Sequence, residues 1–255
     1  MGFVDTHIHL HFPEYESDLA DVMLRAREAG VDTFLNVGTD VESSRRSLQL
    51  ASTHANIFAS AGLHPHDAKN GNLEAYAEFE KLLANPRMVA VGEVGLDFFR
   101  DHSPQDKQQE VLREFVRMAR RLNKPLIIHC RDAYEALVRL FEEEGGAPYQ
   151  GVIHCFSSDA FWMRRLVDLG FYISFAGPLT YKKNDTLREA CAACPVDRIL
   201  LETDAPFLPP QSIRGKRNEP CYLMETARVA AEVQGVSLDS MEVRTTLNAR
   251  RLFRL

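Results

Sequence analysis

Short runs dense in Val, Ile and Leu alternate along this chain with longer stretches in which apolar residues return every three or four positions. That pattern predicts strands alternating with amphipathic helices. The strand-like runs are residues 3–10, 33–37, 57–62, 88–92, 126–130, 151–156, 171–175 and 199–203. Helical stretches 18–29, 41–53, 73–83, 105–122, 133–144, 160–169 and 185–194 lie between consecutive runs, and two more, 221–234 and 238–253, close the chain. Ser17 can cap the first helix, Gly30, Gly170 and the pair Gly145-Gly146 each follow a helix end, and Asn85-Pro86 and Asn123-Lys124-Pro125 lead into strands. Apolar strands joined by helices pair in parallel, so eight such units predict a closed (β/α)8 TIM barrel with two additional C-terminal helices. An open doubly wound sheet is the alternative. No linker-like or low-complexity run divides the chain, and residues 1–255 are expected to form a single domain.

Composition narrows the classes. At 255 residues, 45% of them hydrophobic, the chain can bury one large core. Its formal net charge of -6 offers no general attraction to nucleic acid, so a polyanion would have to be held by a local basic patch or by metal. The start Met1-Gly2-Phe3 lacks a basic, cleavable apolar leader, and no apolar run reaches the roughly 18 residues that span a bilayer. A cytoplasmic protein without membrane association is expected, and nothing points to an obligate protein partner. The five cysteines, Cys130, Cys155, Cys191, Cys194 and Cys221, are odd in number and scattered, which argues against a disulfide framework. Cys130 and Cys155 are expected as buried packing residues on the far face from their histidine neighbours, and the C-x-x-C pair Cys191 and Cys194 lacks the second pair of a zinc site.

A barrel carries its functional groups at the carboxyl ends of its strands. The polar residues that interrupt the apolar runs stand there: His7 and His9 on the first, His64 on the third, Glu93 on the fourth, His129 on the fifth, His154 on the sixth and Asp204 on the eighth. Asp5, Asp97 and Glu202 lie close by. The spacing of His7 and His9 places both imidazoles on one face of a strand, roughly 6.5 to 7 Å apart along the backbone. A lone histidine at such a position is more often a hydrogen-bonded core residue. Six metal-capable side chains in register, His7, His9, Glu93, His129, His154 and Asp204, instead form a mixed nitrogen and oxygen donor set suited to Mg, Mn or Zn. A carboxylate can bridge two ions roughly 3.5 to 4 Å apart, an arrangement fitted to hydrolysis at phosphorus, and two divalent ions are expected.

At these residues the chain resembles a known family. Asp5-Thr6-His7-Ile8-His9, Gly62-Leu63-His64-Pro65, Gly92-Glu93-Val94-Gly95-Leu96-Asp97, Ile128-His129-Cys130-Arg131, His154-Cys155-Phe156-Ser157 and Leu201-Glu202-Thr203-Asp204-Ala205-Pro206 are similar to motifs of the TatD family of metal-dependent deoxyribonucleases. Arg214-Gly215-Lys216-Arg217-Asn218-Glu219-Pro220 and Asn248-Ala249-Arg250-Arg251-Leu252-Phe253 extend the likeness over nearly the whole chain. The resemblance implies one ion on His7, His9, Glu93 and Asp204 and a second on Glu93, His129 and His154. Glu93 would then bridge, where several related hydrolases use a carbamylated lysine. Cys130 and Ala249 depart from the serine and threonine common in relatives, and neither is a ligand.

From this follow expectations about chemistry. Asp204 is the candidate acceptor for the proton of the attacking water, and Glu93, as the bridge, is the other candidate catalytic residue. His64 is a candidate phosphate contact or proton donor. Glu202, two residues before Asp204, would line the substrate site or hold a ligand histidine in place, and Asp5 bears the same relation to His7. Substrate charge would be met by Arg131, by the loop after strand seven with Lys182 and Lys183, and by Arg214, Lys216 and Arg217 after strand eight. Phe98, Phe99, Phe156 and Phe207 could stack on a terminal base or pack the loops. An acidic chain with small basic patches fits attack on single-stranded DNA ends better than grip on a long duplex, so exonuclease action is expected. The resemblance points to the 3′ end. The alternatives are hydrolysis of a small ester, lactone, amide or phosphotriester, hydrolysis of an aminoacyl ester on transfer RNA, and a metal-holding barrel that only binds a partner.

Overall fold

The apolar runs become eight strands that pair in parallel in chain order: β1 (Phe3–Ile8), β2 (Val31–Val37), β3 (Ile57–Ala61), β4 (Met88–Asp97), β5 (Leu126–Arg131), β6 (Gly151–Ile153), β7 (Tyr172–Phe175) and β8 (Ile199–Leu201). This computed structural model describes residues 2–255. Between the strands run α1 (Leu19–Glu28), α2 (Val41–Thr53), α3 (Leu73–Leu83), α4 (Gln105–Leu122), α5 (Tyr134–Glu144), α6 (Ala160–Asp168) and α7 (Asp185–Ala193). Two helices follow β8: α8 (Leu223–Gln234) and α9 (Leu238–Phe253). The seam from the last strand to the first is drawn together by three bonds. The Thr6 hydroxyl donates to the Leu201 carbonyl at 2.9 Å, the Asp204 amide to the His7 carbonyl at 2.9 Å, and the His9 amide to the Ala205 carbonyl at 2.9 Å. The (β/α)8 barrel is therefore nearly closed, and two of these bonds are made by backbone of the expected ligand segments.

Inside the barrel, Val4, Leu35, Ala90, Ile127, Val152, Tyr172 and Leu200 form one buried apolar layer, and Ala249, Leu252 and Phe253 of α9 pack against it. Asn248 of α9 donates to the Val196 and Ile199 carbonyls where the chain enters β8, and the Thr246 hydroxyl donates to the Gly2 carbonyl. One C-terminal helix thus plugs the amino end of the barrel. Side-chain packing fills that end, and polar chemistry is left to the other.

Strand limits differ from the sequence-based expectation where the site is built. Gly92 reads as the end of a strand, yet β4 runs on to Asp97. Between Val91 and Val94 it advances three residues while β5 advances two, from Leu126 to Ile128, so a one-residue bulge falls at Gly92-Glu93 and re-aims the glutamate. Gly95, at φ +153°, lies so close to β5 that a Cβ there would overlap the His129 carbonyl. In the opposite sense, β6 and β8 end sooner than expected, so His154 and Asp204 stand just past the ladder. Cys155 and Asp204 hold left-handed φ values of 42° and 56° there, their backbone N–H groups donating hydrogen bonds to the Glu202 carboxylate and to the His7 carbonyl.

Candidate metal centre

Residues at the carboxyl ends of all eight strands line one cavity of about 640 Å³ at the mouth of the barrel, Glu93 among them. One Glu93 oxygen, Oε2, lies 3.4 Å from His7 Nε2. The other, Oε1, lies 2.9 Å from His154 Nε2, 3.1 Å from His129 Nδ1 and 3.4 Å from His64 Nε2. On the Oε2 side, His7 Nε2 and His9 Nε2 are 3.3 Å apart, and Asp204 Oδ1 is 3.7 and 3.5 Å from them. On the Oε1 side, His129 Nδ1 and His154 Nε2 are 3.2 Å apart. The six expected ligands are therefore brought together as two clusters joined by one carboxylate. His64, expected only as a substrate contact, also reaches the second cluster.

The second nitrogens decide what the first ones can do. His9 Nδ1 donates to the Val37 carbonyl at 2.9 Å, His129 Nε2 faces Asp97 Oδ2 at 3.1 Å, and His154 Nδ1 faces Glu202 Oε1 at 3.2 Å. Each of these acceptors keeps the imidazole hydrogen on the outer nitrogen, leaving a lone pair on the inner one. Inner nitrogens 3.2 to 3.3 Å apart would repel if nothing lay between them. The same separations match an edge of a coordination shell, about 3.0 to 3.4 Å for donors about 2.1 Å from an ion. The donor set fits divalent metal on both sides of Glu93.

Electrostatics agree with this crowding. Burial alone would raise the Glu93 carboxyl, but His154, His64 and His129 outweigh it and hold it well below the usual carboxylate range. Asp204 is likewise lowered, burial being overcome by His9, His7 and His154. Burial pushes the His64 imidazole down to about 4 against the pull of Glu93, which favours its neutral form near pH 7. Beneath the ligands, burial pushes Asp5 up to about 7 although the Thr203 hydroxyl, the Thr203 amide and the His7 amide all donate to it.

The other predicted residues separate into two groups. His64 and Arg131 line the cavity. Glu202 does not: it is fully buried, accepts from the Cys155 amide at 2.8 Å and faces His154, the holding arrangement its spacing suggested. Arg214, Lys216 and Arg217 are also absent from the lining. Arg217 forks onto Asp18 at 2.6 and 2.9 Å and onto Glu219 at 2.8 Å, and Arg214 lies 4.6 Å from the Tyr181 ring centre. Phe156 is a core residue, whereas Phe99 and Phe207 are about half exposed. Cys130 is buried, yet with the half-buried Cys155 it borders the cavity.

Sequence reasoning missed the work of Asp97. Its Oδ2 faces both His129 Nε2 and His66 Nε2, the latter at 2.9 Å, while its Oδ1 accepts the Phe99 and Arg100 amides at 3.0 and 2.8 Å. Gln108 of α4 clamps its backbone from both sides. The available signal was an acid four residues after Glu93, a spacing that returns a side chain to the same face of an extended strand. Phe12 and Arg100, also at the cavity, lie in loops without periodicity and carried no signal.

Comparison with known proteins points to one family. Residues 4–254 match a family model described as TatD related DNase. The chain is 40% identical over 251 residues to YabD of Bacillus subtilis, an uncharacterised metal-dependent hydrolase, covering 98% of each protein. It is 35% identical over 257 residues to a 3′-5′ ssDNA/RNA exonuclease TatD from Erwinia amylovora, covering 98% of this chain and 99% of that protein. Among solved structures it is similar to YJJV, a TatD homologue from Escherichia coli, with a TM-score of 0.94 and 31% identity over 99% of this chain and 98% of that one.

Proposed function

The chain belongs to the TatD-related DNase family and is a metal-dependent hydrolase, and from that premise we propose that it is a 3′-5′ exonuclease acting on the ends of single-stranded DNA with two divalent ions, Mg, Mn or Zn. One observation carries the reading: Glu93 turns its two oxygens to two imidazole clusters at 2.9 to 3.4 Å, which suits a bridge between two ions. On this reading His7, His9, Glu93 and Asp204 would hold one ion and Glu93, His129 and His154 the other. Such ions lower the pKa of water and polarise a phosphoryl oxygen. The protein supplies the rest. Asp204 turns Oδ1 toward His7 and His9, and its other oxygen accepts the proton of the attacking water. Glu202 and Asp97 hold His154 and His129 at fixed angles, so the reacting groups need no reorganisation. His64 and Arg131 both border the cavity that the substrate's phosphates would enter, and Arg131 offers the backbone a guanidinium fork.

The test uses a single-stranded DNA oligomer labelled at its 5′ end, after chelation and then with each metal restored. Shortening from the 3′ end that returns with metal and is lost in Glu93→Ala supports the proposal. No shortening with any metal turns the reading to small esters and lactones.

A further inference from the structure

The walls of the cavity differ in chemistry across its diameter. In a barrel whose strands follow chain order, the β4–β5 side lies opposite the β8–β1 side. Arg100, in the loop after β4, and Arg131, the last residue of β5, are the permanent cations among the described residues lining the cavity. Neither forms an ion pair among the described residues. Both lie instead over the single ring of Phe99, Arg131 with its guanidinium carbon 3.9 Å from the ring centre and Arg100 at 5.6 Å. Their donors are free while the ring keeps them in place.

Among the described residues lining the facing wall none is a lysine or an arginine. Phe12, after β1, and Phe207, after β8, meet edge to face with ring centres 5.6 Å apart, and Leu208 continues the apolar surface. Phe12 rests in turn on the imidazole of His9 at 5.0 Å. Phe207 is 45% exposed and Phe99 55%, an unusual cost for two large rings beside a polar site.

Resting on the nuclease reading above, we infer that the strand crosses the mouth from the β4–β5 side to the β8–β1 side. Arg131 and Arg100 take the phosphate upstream of the scissile one, and the 3′-terminal base stacks on Phe207. Every internal nucleotide brings a phosphate, so the continuing strand needs free guanidinium groups. The terminal nucleoside, beyond the scissile phosphate, brings none, and an apolar aromatic wall without cations suits it. Phe207 is then a substrate-binding residue that favours an intact terminal base, whichever base it is, because every base has a stacking face.

Two 5′-labelled oligomers test the path, one with an ordinary 3′ nucleotide and one whose 3′ residue is abasic. The unsubstituted chain should cut the ordinary end about five- to a hundredfold faster by kcat/KM, Phe207→Ala should erase that ratio, and Phe207→Tyr should keep it. Arg131→Ala should keep the ratio but flatten the plot of log affinity against log salt by about 0.7, one phosphate contact on a single strand. A ratio that survives in Phe207→Ala, or one that Arg131→Ala abolishes, overturns the path. Absence of cleavage by the unsubstituted chain with any of the three metals would remove the nuclease reading itself, and the path with it.

Discussion

Arg131 and Arg217 look alike in the sequence, each a guanidinium in a loop beyond a strand of the same barrel mouth. The structure separates them. Arg131 lines the cavity, meets no acid among the described residues and rests on Phe99. Arg217 is bound to Asp18 and Glu219, which Arg25 of α1 also reaches at 2.8 Å, and covers the buried Tyr15 ring at 4.9 Å. A cation already satisfied by carboxylates holds the loop after β8 onto α1 and has little left for a phosphate. One left open on a hydrophobic rest is available to a ligand. Charge at a barrel mouth therefore informs about function only after its partners have been counted.

The largest effect expected on the open side of this contrast is at the ligands. Asp204→Asn keeps the hydrogen-bonded fold but should lower turnover on a single-stranded oligomer by about a thousandfold, the scale of a lost general base. Unchanged turnover in a correctly folded variant would remove Asp204 from that role. Next comes metal itself. An ion at a hundred times its dissociation constant should stabilise the chain by about 2.7 kcal/mol, or roughly 5 to 10 °C in a thermal melt, and Glu93→Ala should lose most of that gain.

On the satisfied side, Arg217→Ala should leave turnover within about twofold while costing about 1 to 2 kcal/mol of stability, since it strips Asp18, Glu219 and the Tyr15 ring of their partner. If it slowed turnover as much as Arg131→Ala, the contrast between the two arginines would fail. The smallest effect concerns acid. Burial would raise the Glu219 carboxyl, but Arg25 and Arg217 hold it below its ordinary value. A depressed folded pKa stabilises above the unfolded value and loses that contribution as pH falls through the folded one. Melting temperature should therefore fall between about pH 5 and pH 3, and less steeply in Arg217→Ala. Glu144, lowered by Arg117 and Arg113 against burial, should contribute equally in both proteins and serves as the internal reference.

Much of this was legible in the chain because it rests on local rules. Apolar runs and helical periods specify eight βα units, and α2, α3, α4 and α9 begin and end at the residues the pattern predicts. The six candidate ligands were found by type and register alone, since metal chemistry admits few side chains and a barrel collects strand ends on one face. Other features depend on what lies across the barrel. The extension of β4 through two glycines is invisible until β5 packs against Gly95, and the plug made by α9 shows only once Ala249, Leu252 and Phe253 meet the barrel's apolar layer. Asp97, Glu202 and the two arginines received their roles from partners 30 to 200 residues away in the chain, at distances only the folded molecule sets. By itself the sequence determined the inventory of donors and the order of the strands. Which donors remain free, and which are consumed in holding the structure, was decided by tertiary contact, because a side chain's chemistry depends on its neighbours.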